Sequence, residues 1–172
     1  YDTTYVNTDY HDNLLAGKLS ISYQFDSNSN VYLSISNGYK SGGINQNPRL
    51  SEDNRLYKPE FNENFDFGYK YKGQDSYLSL NVFYMLRNDL QVNLSSQQDS
   101  TNPNSFYFYT SNVSDGYNSG MTLNFNHIYL DTFESYLNIG YLKTKINSYS
   151  YLEGENNLVT FDSREAAHAP SY

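Results

Sequence analysis

The sequence predicts an all-β chain, an antiparallel meander of strands that reads as one portion of a transmembrane β-barrel. Three observations carry this: apolar and polar residues alternate with a period of two, the alternating segments pair into hairpins with matched apolar rows, and short turns alternate with long polar connections.

The alternation begins in KLSISYQF, where Leu19, Ile21, Tyr23 and Phe25 stand between Lys18, Ser20, Ser22 and Gln24. It returns at Val31, Leu33 and Ile35, then at Phe65, Phe67, Tyr69 and Tyr71, and again at Leu78, Leu80, Val82 and Tyr84. Met121, Leu123 and Phe125 repeat it, as do Leu137, Ile139 and Tyr141. A strand with one wet face has this pattern, whereas the best helical stretch, SREAAHA, is short and is stopped by Pro170.

Hairpin register gives an independent expectation. Phe25 opposite Val31 across DSNSN aligns Tyr23 with Leu33 and Ile21 with Ile35. Tyr71 opposite Leu78 brings Tyr69 to Leu80, Phe67 to Val82 and Phe65 to Tyr84. Tyr129 opposite Phe133 brings Phe125 to Leu137, Leu123 to Ile139 and Met121 to Tyr141. A one-residue slip in any of them would turn its apolar row to the wrong face. The expected outward residues are Leu19, Ile21, Leu33, Phe67, Leu80, Val82, Leu123 and Ile139, with Ser22, Asn64, Asp66, Asn81, Asn124 and Asn138 on the inner face.

The turns at 26–30, 72–76 and 130–132 are short, and the connections 41–59, 93–105 and 148–164 are long and polar. Outer-membrane barrels have this asymmetry, with long loops outside the cell. Aromatics gather beside the short turns (Tyr23, Phe25, Tyr32, Tyr69, Tyr71, Tyr77, Tyr129, Phe133, Tyr136), where an interfacial girdle would hold them. Tyr39, Tyr84 and Tyr141 suit a second girdle at the other end.

Composition narrows the function. The chain has 172 residues with Lys+Arg 11 against Asp+Glu 19, a net charge of −8, which argues against a nucleic-acid partner. It has no Cys, so disulfide scaffolds and thiolate metal sites are excluded, and no apolar run approaches the roughly 20 residues of a spanning helix. Mean hydropathy is −0.74, a value that polar loops and half-wet barrel strands also produce. In SNGYKSGGIN, Gly38, Lys40 and Ser41 approach a phosphate-binding loop, but Tyr39 interrupts the motif and no helix start follows. Gly38, Gly42 and Gly43 are instead expected to ease bends where a strand enters the first long loop.

Several motifs in order give a resemblance. YLSISNGYKSGGIN, YKPEFNENFDFGYK and LSLNVFYMLRNDLQV are similar to successive strands of the C-terminal barrel of TonB-dependent outer-membrane receptors. The matching positions are Tyr39, Lys40, Gly42, Gly43, Asn45, Pro59, Glu60, Asp66, Gly68, Lys70 and Gln91. NVSDGYNSGMTLNF and IGYLKTKINSY resemble the next hairpin, and AHAPSY the start of the following strand. The later strand departs from the pattern after Gly120, where Met121 and Thr122 replace the usual acidic residue.

The resemblance implies a portion of a large barrel of about 22 strands. Residues 1–172 are then partial barrel, with the plug domain absent from this chain. It implies a bacterial outer-membrane location and partners in outer-membrane lipid, the remainder of the barrel and plug, and the TonB complex acting through that plug. It also implies import of a bulky ligand such as a ferric siderophore, haem, cobalamin or a glycan. Enzymatic activity and a cofactor are not implied.

A second class fits the same alternation: a soluble extracellular β-sandwich, a glycan-binding or adhesin module, which would bury one sheet face under a second layer. The candidate ligand contacts in the external loops are Arg49, Arg55, Tyr57, Gln97, Gln98 and Tyr107. His11, His127 and His168 have no metal-ligand spacing, and the acidic pairs Glu52/Asp53 and Glu153/Glu155 read as solvated loop charge. Asp9, His11 and Asp12 in TDYHD are a weak cation candidate, and no serine nucleophile turn is present.

Overall fold

The computed structural model describes residues 9–47, 50, 52–97, 101–102, 104–130, 132–153 and 157–166. Six long strands form one antiparallel sheet in sequence order: β1 (Gly17–Gln24), β2 (Ser29–Lys40), β5 (Glu60–Lys72), β6 (Ser76–Asn88), β9 (Gly116–Tyr129) and β10 (Phe133–Ile146). The long connections hold pairs of shorter strands: β3 (Gly43–Ile44) with β4 (Leu56–Tyr57), β7 (Gln91–Gln97) with β8 (Phe106–Asn112), and β11 (Tyr149–Glu153) with β12 (Asn157–Phe161).

Two of the three expected hairpin registers are observed residue for residue. The first is shifted by two: Tyr23 pairs with Val31, Ile21 with Leu33 and Leu19 with Ile35. The cause lies in the turn, which closes over three residues instead of five. The Asp26 carboxylate accepts the backbone N–H groups of Asn28 and Ser29 at 2.7 Å each, and Phe25 N–H donates to Ser29 O at 3.0 Å. An Asx-type turn of this kind is tighter than composition suggests. A shift of two preserves the period, so every side chain stays on its expected face.

The alternation therefore builds two distinct faces. Ile21, Leu33, Phe67, Val82, Met121 and Tyr141 lie side by side in one row across all six strands. The next row, on the opposite face, is Ser22, Tyr32, Gly68, Asn81, Thr122 and Gly140. Tyr32 lies over Gly68, where a Cβ would come within 2.0 Å of its ring, and its hydroxyl donates to Asn81 Oδ1 at 2.9 Å. This corrects the girdle expected near the short turns. Tyr32, Tyr77 and Tyr136 belong to the polar face by strand parity, leaving Tyr23, Phe25, Tyr69, Tyr71, Tyr129 and Phe133 beside the turns.

No second layer covers the apolar face among the described residues. Ile21 is 68% exposed and Leu33 60%, and the buried apolar residues Leu50, Leu90, Leu94, Tyr109 and Tyr149 all lie at or beyond the long-connection end. A soluble sandwich would bury the sheet and leave its loops wet. Here the order is reversed, as lipid contact on a barrel wall requires. At the far edge, Ile146 bridges Arg164, and Ala166 N–H donates to Thr144 Oγ1 at 2.9 Å. Residues 164–166 thus take the place of the expected following strand; the rest of AHAPSY lies outside the described residues.

Candidate functional site at the external end

The upward strands β2, β6 and β10 each leave the apolar band into a long connection, so the external surface is built from β3–β4, β7–β8 and β11–β12. Its base is an ion pair between the half-buried Arg87 and the buried Glu60. Arg87, at the end of β6, donates from Nε (2.9 Å) and Nη2 (2.5 Å) to Glu60 Oε1, while Glu60 Oε2 accepts the backbone N–H of Gln91 at 3.0 Å. Asp89 turns the chain between them with φ 54°, a conformation that Asp adopts more readily than most residues. The Gln91 amide then donates to the carbonyls of Ser41 and Lys58, both at 2.9 Å, drawing the exit of β2 and the entry to β5 onto the start of β7.

Two asparagines continue the joint. Asn45 donates to Asn54 O and Thr110 O at 2.8 Å and accepts from Thr110 N–H at 2.9 Å. Asn112 accepts from Lys58 N–H at 2.7 Å and donates to Lys58 O at 3.0 Å and Asp89 O at 2.7 Å. Each side-chain amide satisfies backbone groups that have no ladder partner at that point. The glycines of SNGYKSGGIN fit the same joint. A Cβ on Gly42 would come within 2.4 Å of Tyr57 O, and one on Gly43 within 2.5 Å of the Tyr57 hydroxyl. Their role is close packing of the β3–β4 hairpin.

Above the joint lies a small core. Leu50, Leu94 and Tyr109 are buried together, with Val92, Tyr107, Val113 and Tyr151 packed against them. Burial, reinforced by the neighbouring Tyr107 and Tyr151 phenols, pushes the Tyr109 hydroxyl above its ordinary range. Tyr151 stacks on Phe161, and Arg164 lies 4.7 Å from the Phe161 ring centroid, which ties the β11–β12 hairpin to the same core.

The expected contact residues are dispersed over this surface. Arg55 is partly buried, its Nε without a hydrogen-bond partner among the described residues, and its backbone carbonyl accepts from Asn45 N–H at 2.7 Å. Tyr57 pairs with Gly43 across β3–β4. Gln97, at the tip of β7, donates to Asn102 O at 3.2 Å, and Tyr107 packs on the small core. Arg49 and Gln98 lie outside the described residues. Sequence reasoning missed Phe106 and Phe108, which stand on the opposite face of β8 from Tyr107 and Tyr109; Phe108 is 73% exposed. The alternation in FYFYT, just after the 93–105 connection, was the available signal.

Among the described residues no three His, Cys, Asp or Glu side chains approach a metal-binding arrangement. His127 Nδ1 lies 2.7 Å from Ser76 Oγ, and Asp12 accepts the Tyr10 hydroxyl. His168 lies outside the described residues.

A family model, TonB dependent receptor-like β-barrel, matches residues 1–170. The chain belongs to that family. TonB-dependent receptors are outer-membrane proteins, which gives the exposed apolar row its solvent. The pesticin receptor of Yersinia enterocolitica (serotype O:8 / biotype 1B) is 30% identical over 82 residues, covering 48% of this chain and 12% of that protein. The pesticin receptor of Yersinia pestis is 29% identical over 82 residues, with the same coverage. The crystal structure of the ferric yersiniabactin uptake receptor FyuA from Yersinia pestis superposes with a TM-score of 0.61 at 22% identity, covering 77% of this chain and 18% of that one. That likeness establishes a shared fold. The chain therefore spans about an eighth of the length of the curated relatives it matches.

Proposed function

We propose that this chain supplies wall strands and external ligand-capturing loops to a receptor that imports a ferric chelate of the siderophore type. The remainder of the barrel and a plug complete the pore, and the TonB complex supplies energy through the plug. The supporting observation is the external surface itself: β3–β4 and β7–β8 are pinned to the barrel rim through Glu60, Arg87, Gln91, Asn45 and Asn112, and β11–β12 joins them through Tyr151 on a shared core. A preformed platform loses less conformational entropy on capture than unstructured loops would. The choice of a ferric chelate over haem, cobalamin or a glycan draws on the uptake named for the similar FyuA. Arg49, Arg55, Tyr57, Gln97, Gln98 and Tyr107 are assigned to the capturing surface. No chemical step is assigned to the chain, because carriage requires binding and displacement alone.

The test is uptake by the full-length receptor in a strain lacking its own copy. Labelled ferric chelates, haem, cobalamin and oligosaccharides are supplied with and without a functional TonB complex. TonB-dependent accumulation of a ferric chelate is expected, with weaker capture in Arg55→Ala and Gln97→Ala. Accumulation of only haem, cobalamin or a glycan would reassign the ligand, and TonB-independent uptake would remove the energy-coupled mechanism.

A further inference from the structure

The chain's 11 basic residues are not spread evenly over the sheet. Lys18, Lys40, Lys70, Lys72 and Arg87 all occupy inward positions of their strands. The outward face of the six-stranded sheet carries two cations, Lys143 and Lys145, at successive outward positions of β10 directly above Tyr141. Both are exposed. Successive outward positions are about 7 Å apart, so both ammonium groups can serve one site.

Their neighbours are also donors. Lys143 pairs with Ser119 and Lys145 with Tyr117, and Tyr117 stacks on Tyr84 at 5.5 Å between centroids. The patch thus combines two ammonium groups, a hydroxyl and a phenol at the external edge of the apolar band, where flexible lysines reach the headgroup layer. The acidic groups near it are Glu165, which the antiparallel Ile146–Arg164 bridge sets across from Lys145, Asp115, just before β9, whose Oδ1 accepts the Asp89 N–H at 3.0 Å, and Glu63, in the row of Lys145 but three strands away (about 14 Å). Among the described residues neither lysine forms an ion pair with any of them.

We propose that Lys143 and Lys145, with Ser119 and Tyr117, form a docking site on the outer wall for the phosphate of an outer-leaflet lipid headgroup. Charge complementarity selects an anionic group, and the outward position over the apolar row selects a lipid, whose chains lie along Tyr141 and Ile139 while its phosphate meets the lysines.

The test uses the full-length receptor carrying this sequence, reconstituted in phosphatidylcholine vesicles alone, with bisphosphorylated lipid A, or with lipid A stripped of phosphate. The readout is the thermal-unfolding midpoint. Bisphosphorylated lipid A should raise it, dephosphorylated lipid A should give less than half of that shift, and Lys143→Gln/Lys145→Gln should lose at least half of the phosphate-dependent part. Lys143→Arg/Lys145→Arg should retain it. If the double glutamine variant fails to insert, Lys143→Gln alone is compared, with a smaller loss expected. An unchanged shift in the glutamine variants, or an equal shift with dephosphorylated lipid A, overturns the site. An equal shift from inorganic phosphate in plain vesicles overturns the lipid as its occupant.

Discussion

Replacing Arg87 with Met removes the guanidinium that neutralises Glu60 and leaves the aliphatic stem in place. Glu60 is 6% exposed, and in the variant its carboxylate would keep one observed donor, the Gln91 N–H. Removing one partner of a buried pair costs about 3–5 kcal/mol. The Arg87 side chain is itself 26% exposed, so water would reach the vacated carboxylate, and a cost below that range or at its lower bound, about 2–3 kcal/mol, is expected. Gln91 N–H is the local reporter, because it donates to that same carboxylate. Hydrogen exchange of this amide in the full-length receptor should accelerate roughly 30- to 150-fold, the conversion of that cost at tenfold per 1.4 kcal/mol. Glu60→Gln/Arg87→Met leaves no charge behind and keeps an acceptor for Gln91, so it should cost less than about 1.5 kcal/mol. A single-variant acceleration below about fivefold, or a double variant whose cost is the sum of the singles, would refute the buried-pin account.

The wall and the first turn give two further expectations. Val82→Arg, in the middle of the outward row, should cost about 2–4 kcal/mol of insertion stability, whereas Asn124→Arg on the exposed inner face should be tolerated. Equal loss in a membrane-refolding assay would contradict the assigned faces. Asn124 is the better inner control because Arg at Asn81 would also break the bond from Tyr32. In the β1–β2 turn, the Asn28 backbone N–H, and then Ser29, hold the Asp26 carboxyl below its usual range. The folded-state value is depressed, so the turn's stabilisation is complete above the unfolded value of about 3.9 and is lost as pH falls through the folded one. Exchange of the Asn28 and Ser29 amides, relative to the intrinsic rate, should lose protection over that acid window in the native receptor and show no such step in Asp26→Ala.

Most of the wall was legible because a period of two survives any even error. The first hairpin shows this: the expected pairing is two residues off, yet Leu19, Ile21, Leu33 and Ile35 keep their faces. Register itself was decided by the Asp26 side chain bonding to nearby backbone, which alternation does not encode. The girdle expectation failed at Tyr32, Tyr77 and Tyr136 because residue type and proximity to a turn were used without parity. Tyr32 is aromatic on the inner face because Gly68 beside it leaves room for the ring. The external surface was the least legible part. Most of its strand β7 lies in the 93–105 segment that composition marks as loop, and its organising contacts join residues 65 apart (Asn45 to Thr110) and 54 apart (Lys58 to Asn112). Asn45 and Gln91 were found as positions of the family pattern, but only the structure shows what their amides do.

The choice of amides at this rim has a physical reason. Where β2 and β6 leave the regular sheet and β5 and β9 enter it, backbone donors and acceptors lose their ladder partners, and an orphan group shielded from water costs about 1–3 kcal/mol. A primary amide carries a donor and an acceptor at nearly the spacing of a peptide group, so it can stand in for one residue of a neighbouring strand. Asn45 does so toward Thr110, meeting both its N–H and its carbonyl, and Asn112 does the same toward Lys58. A carboxylate would supply acceptors without the donor, and a lysine the reverse. Apolar side chains would leave both backbone groups unmet. The core of Leu50, Leu94 and Tyr109 then adds burial above a joint whose polar groups are already largely paired, so the external hairpins gain order from hydrogen bonding at their base and from packing at their centre. Such a platform can vary its exposed residues, Phe106 and Phe108 among them, without disturbing the amides that hold it to the barrel.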